Sequence, residues 1–79
     1  MTNNDRLQQI FRDVFEEDEL VLREDMTMKD IDAWDSVAHF QMIMETELEF
    51  DIKFSTAEIA GFKNVGELLA LIKKHQGEK

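Results

Sequence analysis

Leu7, Ile10, Phe11, Val14 and Phe15 are spaced i, i+3, i+4, i+7, i+8, and no proline interrupts any part of the 79-residue chain. That spacing is one face of an α-helix, with Arg6, Gln9, Arg12, Asp13 and Glu16 lying off it. It predicts a first helix over about residues 4–17. The run Glu16-Glu17-Asp18-Glu19 opposes the negative C-terminal end of a helix, so the helix should stop there. Helical spacing returns further along, without repeats, low-complexity tracts or linkers.

A second helix should begin at Ser36, with Asp35 as its N-cap, and run to about Glu49. An Asp at that position accepts a bond from an unpaired amide and complements the positive helix end. Ser55 with Glu58 three residues on makes a capping box for a third, short helix that Gly61 can end. A fourth helix follows Asn64, continues through Leu68, Leu69, Leu71 and Ile72, and finds Lys73 and Lys74 suited to its C-terminal end. Phe50, Ile52 and Phe54 alternate like a strand, but a lone strand has no partner, so this piece reads as a loop with its apolar side chains in the core. The fold class is all-α: a small bundle of three main helices plus one short one, as a single domain over residues 1–79. Between the first two helices, residues 18–34 form a connection longer than most in compact domains. It holds Leu20, Val21, Leu22, Met26, Met28 and Ile31, enough to pin it to the core, and Thr27-Met28-Lys29-Asp30 can form a capped turn.

The second helix carries two apolar stripes. Val37, Phe40, Met44 and Leu48 form one; Met42, Ile43, Thr46 and Phe50 form another on roughly the opposite side. One helix of so small a domain cannot bury both fully. Periodicity alone selects the first, cleaner stripe as core.

Composition excludes several functions. The net charge is −9, and a nucleic-acid partner needs clustered Lys and Arg that are absent. Acidity is concentrated early: residues 1–34 hold ten acids against four bases, whereas residues 63–79 hold two against four. Such a field steers association with partners bearing basic patches. There is no cysteine, hence no disulfide and no thiolate metal site. The acids Glu24, Asp25, Asp30 and Asp32 lack the spacing of an EF-hand loop. No apolar run approaches the roughly 20 residues of a membrane span, and the polar start is unlike a signal peptide. A cytoplasmic monomer is expected. His39 stands one turn after Ser36, but no acid is placed to orient it for nucleophilic catalysis, so it reads as a half-buried packing residue. His75 lies near the chain end with no assigned role. Trp34 is most simply a cap on the junction between loop and helix.

Trp34-Asp35-Ser36-Val37 opening a long helix, Glu47-Leu48-Glu49-Phe50-Asp51-Ile52 closing it, then a short capped helix and a Leu-rich last one, together resemble the acyl carrier proteins over nearly the whole chain. The family's usual motif is Asp-Ser-Leu, so Val37 departs from it, and Trp34 is bulkier than the usual preceding residue. The resemblance implies 4'-phosphopantetheine from coenzyme A on Ser36, and no enzymatic activity of the chain's own. A serine hydroxyl is a weak nucleophile without a base. The modifying phosphopantetheinyl transferase would supply base and metal, the hydroxyl would attack the coenzyme A pyrophosphate, and a phosphodiester would remain at the positive end of the helix. Cargo would ride as a thioester on the arm.

The resemblance also puts the second stripe, Met42, Ile43, Thr46 and Phe50, in the core, and turns Val37 and Met44 toward partner enzymes. It leaves Phe40 and Leu48 open. Trp34, Asp35, Val37, Gln41, Met44, Glu45 and Glu47 form the implied recognition set, with Glu49 read as a solvated charge. Partners would be the transferase, an acyl-loading ligase or acyltransferase, and synthases or transferases with basic docking patches. Tryptophan before the Asp-Ser pair is familiar among free-standing carriers outside general fatty-acid synthesis, so the resemblance implies a specialised pathway of fatty-acid or polyketide type. Ala38 and Gln41 stand where many fatty-acid carriers have carboxylates, which argues against efficient exchange with a housekeeping fatty-acid synthase. An aminoacyl or peptidyl carrier of a nonribosomal pathway, and an unmodified acidic interaction module, are the alternatives.

Overall fold

The computed structural model describes residues 2–32 and 34–77, and the regular elements among these are all helices: α1 (Asn3–Phe15), α2 (Ser36–Phe50), α3 (Thr56–Gly61) and α4 (Val65–Gly77). α1 starts slightly earlier than its apolar stripe indicates because Thr2 and Asp5 form a reciprocal capping box. It ends at Glu16, which takes the left-handed conformation at φ 55° and returns its amide to the Arg12 carbonyl. The predicted stripe faces inward: Leu7, Ile10, Phe11 and Phe15 are buried and Val14 is partly so. α1 packs chiefly on α2 and also meets α4.

Leu20, Leu22, Met26, Ile31 and Trp34 pin the long connection after α1 to the core, while Val21 and Met28 stay exposed. Polar ties fix it too. The Leu22 amide donates to Gln8 Oε1 at 2.9 Å, and Arg12 Nε donates to the Leu20 carbonyl at 2.8 Å. The expected turn forms, with the Thr27 amide donating to the Asp30 carboxylate at 2.8 Å.

The connection also serves α4. The first amides of a helix have no partner within it. Here Val65 N–H donates to the Met26 carbonyl at 2.9 Å and Gly66 N–H to the Glu24 carbonyl at 2.8 Å. Asn64 Oδ1 takes the Glu67 amide at 2.9 Å and so caps the helix that follows it. A side chain at position 66 would put its Cβ 3.1 Å from the Glu24 oxygen, a tight approach that favours glycine. Val65, Leu68 and Ile72 then fill the core beneath.

On α2 the core takes Met42, Ile43, Thr46 and Phe50, as the resemblance implied and against plain periodicity. Thr46 is fully buried because its hydroxyl donates to the Met42 carbonyl at 2.8 Å and leaves no unmet polar atom. After α2, Phe54 is buried and Ile52 is packed against the core from a loop, not a strand. α3 has its Ser55–Glu58 capping box but no fully buried residue. Gly61 is its last residue, and the chain leaves in extended conformation through Phe62 at φ −78°, without a left-handed glycine stop.

Candidate functional site

Ser36 is the first residue of α2 and is exposed. Asp35 holds the turn beneath it: its backbone is extended, and its carboxylate accepts from the Ala38 amide at 2.8 Å. That bond satisfies one of the orphan amides at the helix start, and the helix dipole favours negative charge at the same end. No acidic residue sits in the first turn of α2. A phosphate ester on Ser36 would therefore meet the positive helix end with Asp35 as the adjoining carboxylate. The geometry fits such a group: an exposed hydroxyl on a capped, regular turn.

His39 does not serve Ser36. Its imidazole turns to the Trp34 indole nitrogen at 3.0 Å and to the Ile59 carbonyl at 3.2 Å. It is half-buried, as the sequence indicates. Among the described residues no group of three or more His, Cys, Asp or Glu side chains is arranged to hold a metal ion.

Trp34, which the resemblance puts in the recognition set, is a core residue in the fold. It is 3% exposed, with its ring edge-on to Phe11 at 5.2 Å and tilted against Phe15 at 5.7 Å. The ring therefore anchors the segment leading into Ser36 to the core. On α2 the large apolar side chains that do reach solvent are Val37 (77% exposed), Phe40 (58%), Met44 (62%) and Leu48 (76%). This places the two residues left open by the sequence on the surface stripe. Gln41 and Glu45 are exposed along one edge of it. Glu47, on the other edge, is partly engaged, because its carboxylate accepts the Phe54 amide at 2.8 Å and ties down the loop after α2. Glu49 is not the simple solvated charge expected: Arg6 Nε meets its carboxylate at 2.9 Å, and the Arg6 guanidinium lies 4.3 Å over the Phe50 ring.

Sequence reading missed a second cluster. His75 Nε2 lies 3.0 Å and 3.1 Å from the two Glu58 oxygens and its ring packs edge-on to Phe54, linking α4 to α3. The Glu58 carboxyl is held below its ordinary value, first by the hydrogen bond from the Ser55 amide and then, against desolvation, by His75. The capping box was visible in the sequence. A partner seventeen residues away has no periodic signature.

With this geometry, the comparisons are specific. The family model described as the phosphopantetheine attachment site matches residues 5–72, and the chain belongs to that family. It is similar to the solution NMR structure of a holo acyl carrier protein from Geobacter metallireducens, at 41% identity and a TM-score of 0.90, over 99% of this chain and 90% of that one. None of the curated proteins matches the chain in sequence. The protein is accordingly a carrier with the acyl carrier fold and a covalently attached phosphopantetheine, and not an enzyme. Among the described residues no helix is long and apolar enough to cross a membrane.

Proposed function

We propose that Ser36 is the residue that carries 4'-phosphopantetheine, and that the protein transports acyl groups as thioesters for a specialised biosynthetic pathway of the cytoplasm. The observation that carries this reading is the exposed Ser36 hydroxyl on the Asp35-capped first turn of α2, inside the stretch that matches the attachment-site family. The arm supplies a mobile thiol, which a chain without cysteine lacks. The chain's own residues present it. Asp35 fixes the turn, Trp34 anchors that turn in the core, and the α2 stripe offers a docking face.

Val37, Phe40, Met44 and Leu48 are the centre of that face, with Gln41 and Glu45 at its edge. Exposed Met adapts to several partners in turn, and apolar interface centres with charged rims are how transient partners dock. The expected partners are the transferase, an acyl-loading ligase or acyltransferase, and synthases or transferases whose basic patches meet the acidic surface. Support for a specialised pathway comes from the start of α2, where Ala38 and Gln41 stand in place of carboxylates and leave recognition more apolar than electrostatic. The protein acts as a monomer that visits separate enzymes, and tethering raises the local concentration of cargo at each.

The test is loading of the phosphopantetheine-bearing protein with a fatty acid, ATP and an acyl ligase, followed by intact mass. A hydroxylamine-sensitive acyl gain is expected on wild type. Val37→Asp and Met44→Glu should slow it by at least about tenfold, equivalent to about 1.4 kcal/mol, without loss of helical content. Unchanged rates in both variants would remove the stripe from the docking face. Loading only by an amino acid and its adenylating enzyme would assign the aminoacyl carrier instead.

A further inference from the structure

His39 occupies a junction that the carrier chemistry leaves unused. An indole N–H can only donate, so at 3.0 Å from Trp34 the imidazole Nδ1 accepts. A carbonyl oxygen can only accept, so at 3.2 Å from Ile59 the imidazole Nε2 carries the hydrogen. Both bonds coexist in one form of the ring, the neutral Nε2–H tautomer. The Trp34 and His39 rings are within 18° of coplanar with centroids 6.1 Å apart. With their nitrogens only 3.0 Å apart, they lie edge to edge rather than face to face. Phe62 covers the imidazole face at 5.1 Å and 26°.

We infer that His39 is a positioning residue acting through Trp34: its neutral ring ties the segment leading into Ser36 to α3, and proton uptake opens that tie. A protonated Nδ1 becomes a second donor pointing at the indole donor. Trp34 is almost fully buried, so its N–H gains no water in exchange unless the side chain moves. The Ile59 bond and the Phe62 contact survive protonation. The disturbance therefore falls on Trp34, two residues ahead of Ser36.

The charged groups on the surrounding elements are engaged elsewhere. Asp35 caps the Ala38 amide, and on α1 Arg12 holds the Leu20 carbonyl and Asp13 meets Gln9. Glu58, on α3, faces Ser55, Lys74 and His75. Glu16 beyond α1, Asp32 ahead of Trp34 and Lys63 beyond α3 are exposed. The second lateral tie of α3, Glu58 to His75, responds oppositely: a proton on His75 turns it into an ion pair. α3 has no fully buried residue of its own, so such ties matter to where it sits.

This inference stands on the fold and not on the modification, so its failure leaves the Ser36 assignment untouched, and the reverse. The test follows the Trp34 indole N–H resonance and emission from pH 8 to pH 5, the interval in which histidines take up a proton. The full chain is used with and without the phosphopantetheine arm. Trp34 is the only tryptophan, and His39 and His75 are the only histidines.

The expected result is one step in which the His39 ring signals, the indole resonance and a loss of Trp34 emission move together, imidazolium being a quencher of indole. The step persists in His75→Gln. It vanishes in His39→Gln, whose amide can accept from the indole and donate to Ile59 but cannot titrate. A His39 ring still neutral at pH 5, or one that takes a proton while the indole resonance and emission stay fixed, overturns the inference. So does a step that survives in His39→Gln. The wild-type titration decides the matter even where a variant fails to fold.

Discussion

Replacing Trp34 tests whether that residue belongs to the core or to the docking surface. Its ring is 3% exposed and packs on Phe11 and Phe15. Truncating a buried Trp to Ala costs about 3–5 kcal/mol, because transfer free energy is lost and a cavity remains. A chain of 79 residues has roughly 4–12 kcal/mol of total stability at 0.05–0.15 kcal/mol per residue. Trp34→Ala should therefore remove about a quarter or more of it. At about 4–8 °C per kcal/mol for a domain of this size, the melting temperature should fall by at least about 12 °C. Trp34→Phe keeps an apolar ring but deprives His39 Nδ1 of its donor, and should cost about 1–3 kcal/mol. The assay is urea denaturation followed by circular dichroism, since both variants lose the tryptophan signal. A cost below about 1 kcal/mol for Trp34→Ala would refute the reasoning, because a side chain whose removal barely matters is not holding the turn before Ser36.

Thr46→Val should change stability by less than about 1 kcal/mol by the same assay, since the hydroxyl's acceptors, the Met42 carbonyl and sulfur, lie in the same helix and no buried group is orphaned. The depressed Glu58 carboxyl gives a signed pH prediction. A carboxyl whose folded value is lowered adds stability above its ordinary value, 4.5, and loses it as pH falls through the folded value. The advantage of wild type over Glu58→Gln, measured by denaturation at several pH values, should therefore be largest above pH 4.5 and shrink below it. An advantage independent of pH would contradict the assignment.

Much of the fold could be read from local signals. The α1 stripe, the Asp35 cap, the Ser55–Glu58 box and the Asn64 cap each depend on residues three or four apart, and each stands where the sequence puts it. α2 was harder, because a buried threonine and four exposed apolar side chains, Val37, Phe40, Met44 and Leu48, blur its period. The resemblance to acyl carriers chose the correct face there. The burial of Trp34 was not legible, because an aromatic close to the key serine looks exposed until the loop before it is seen to fold inward. The ties from His39 to Ile59 and from His75 to Glu58 join residues far apart in sequence, where single-chain patterns carry no information. The use of connection carbonyls by the start of α4 is equally non-local.

The central claim is the identity of the modified residue. The direct measurement is intact mass after incubation with coenzyme A and a broad-specificity phosphopantetheinyl transferase, for wild type and for Ser36→Ala. The structure predicts the mass of one phosphopantetheine on wild type and none on the variant, with fragmentation placing the adduct on Ser36. An equal gain on Ser36→Ala, or no gain on a folded wild type, would contradict it.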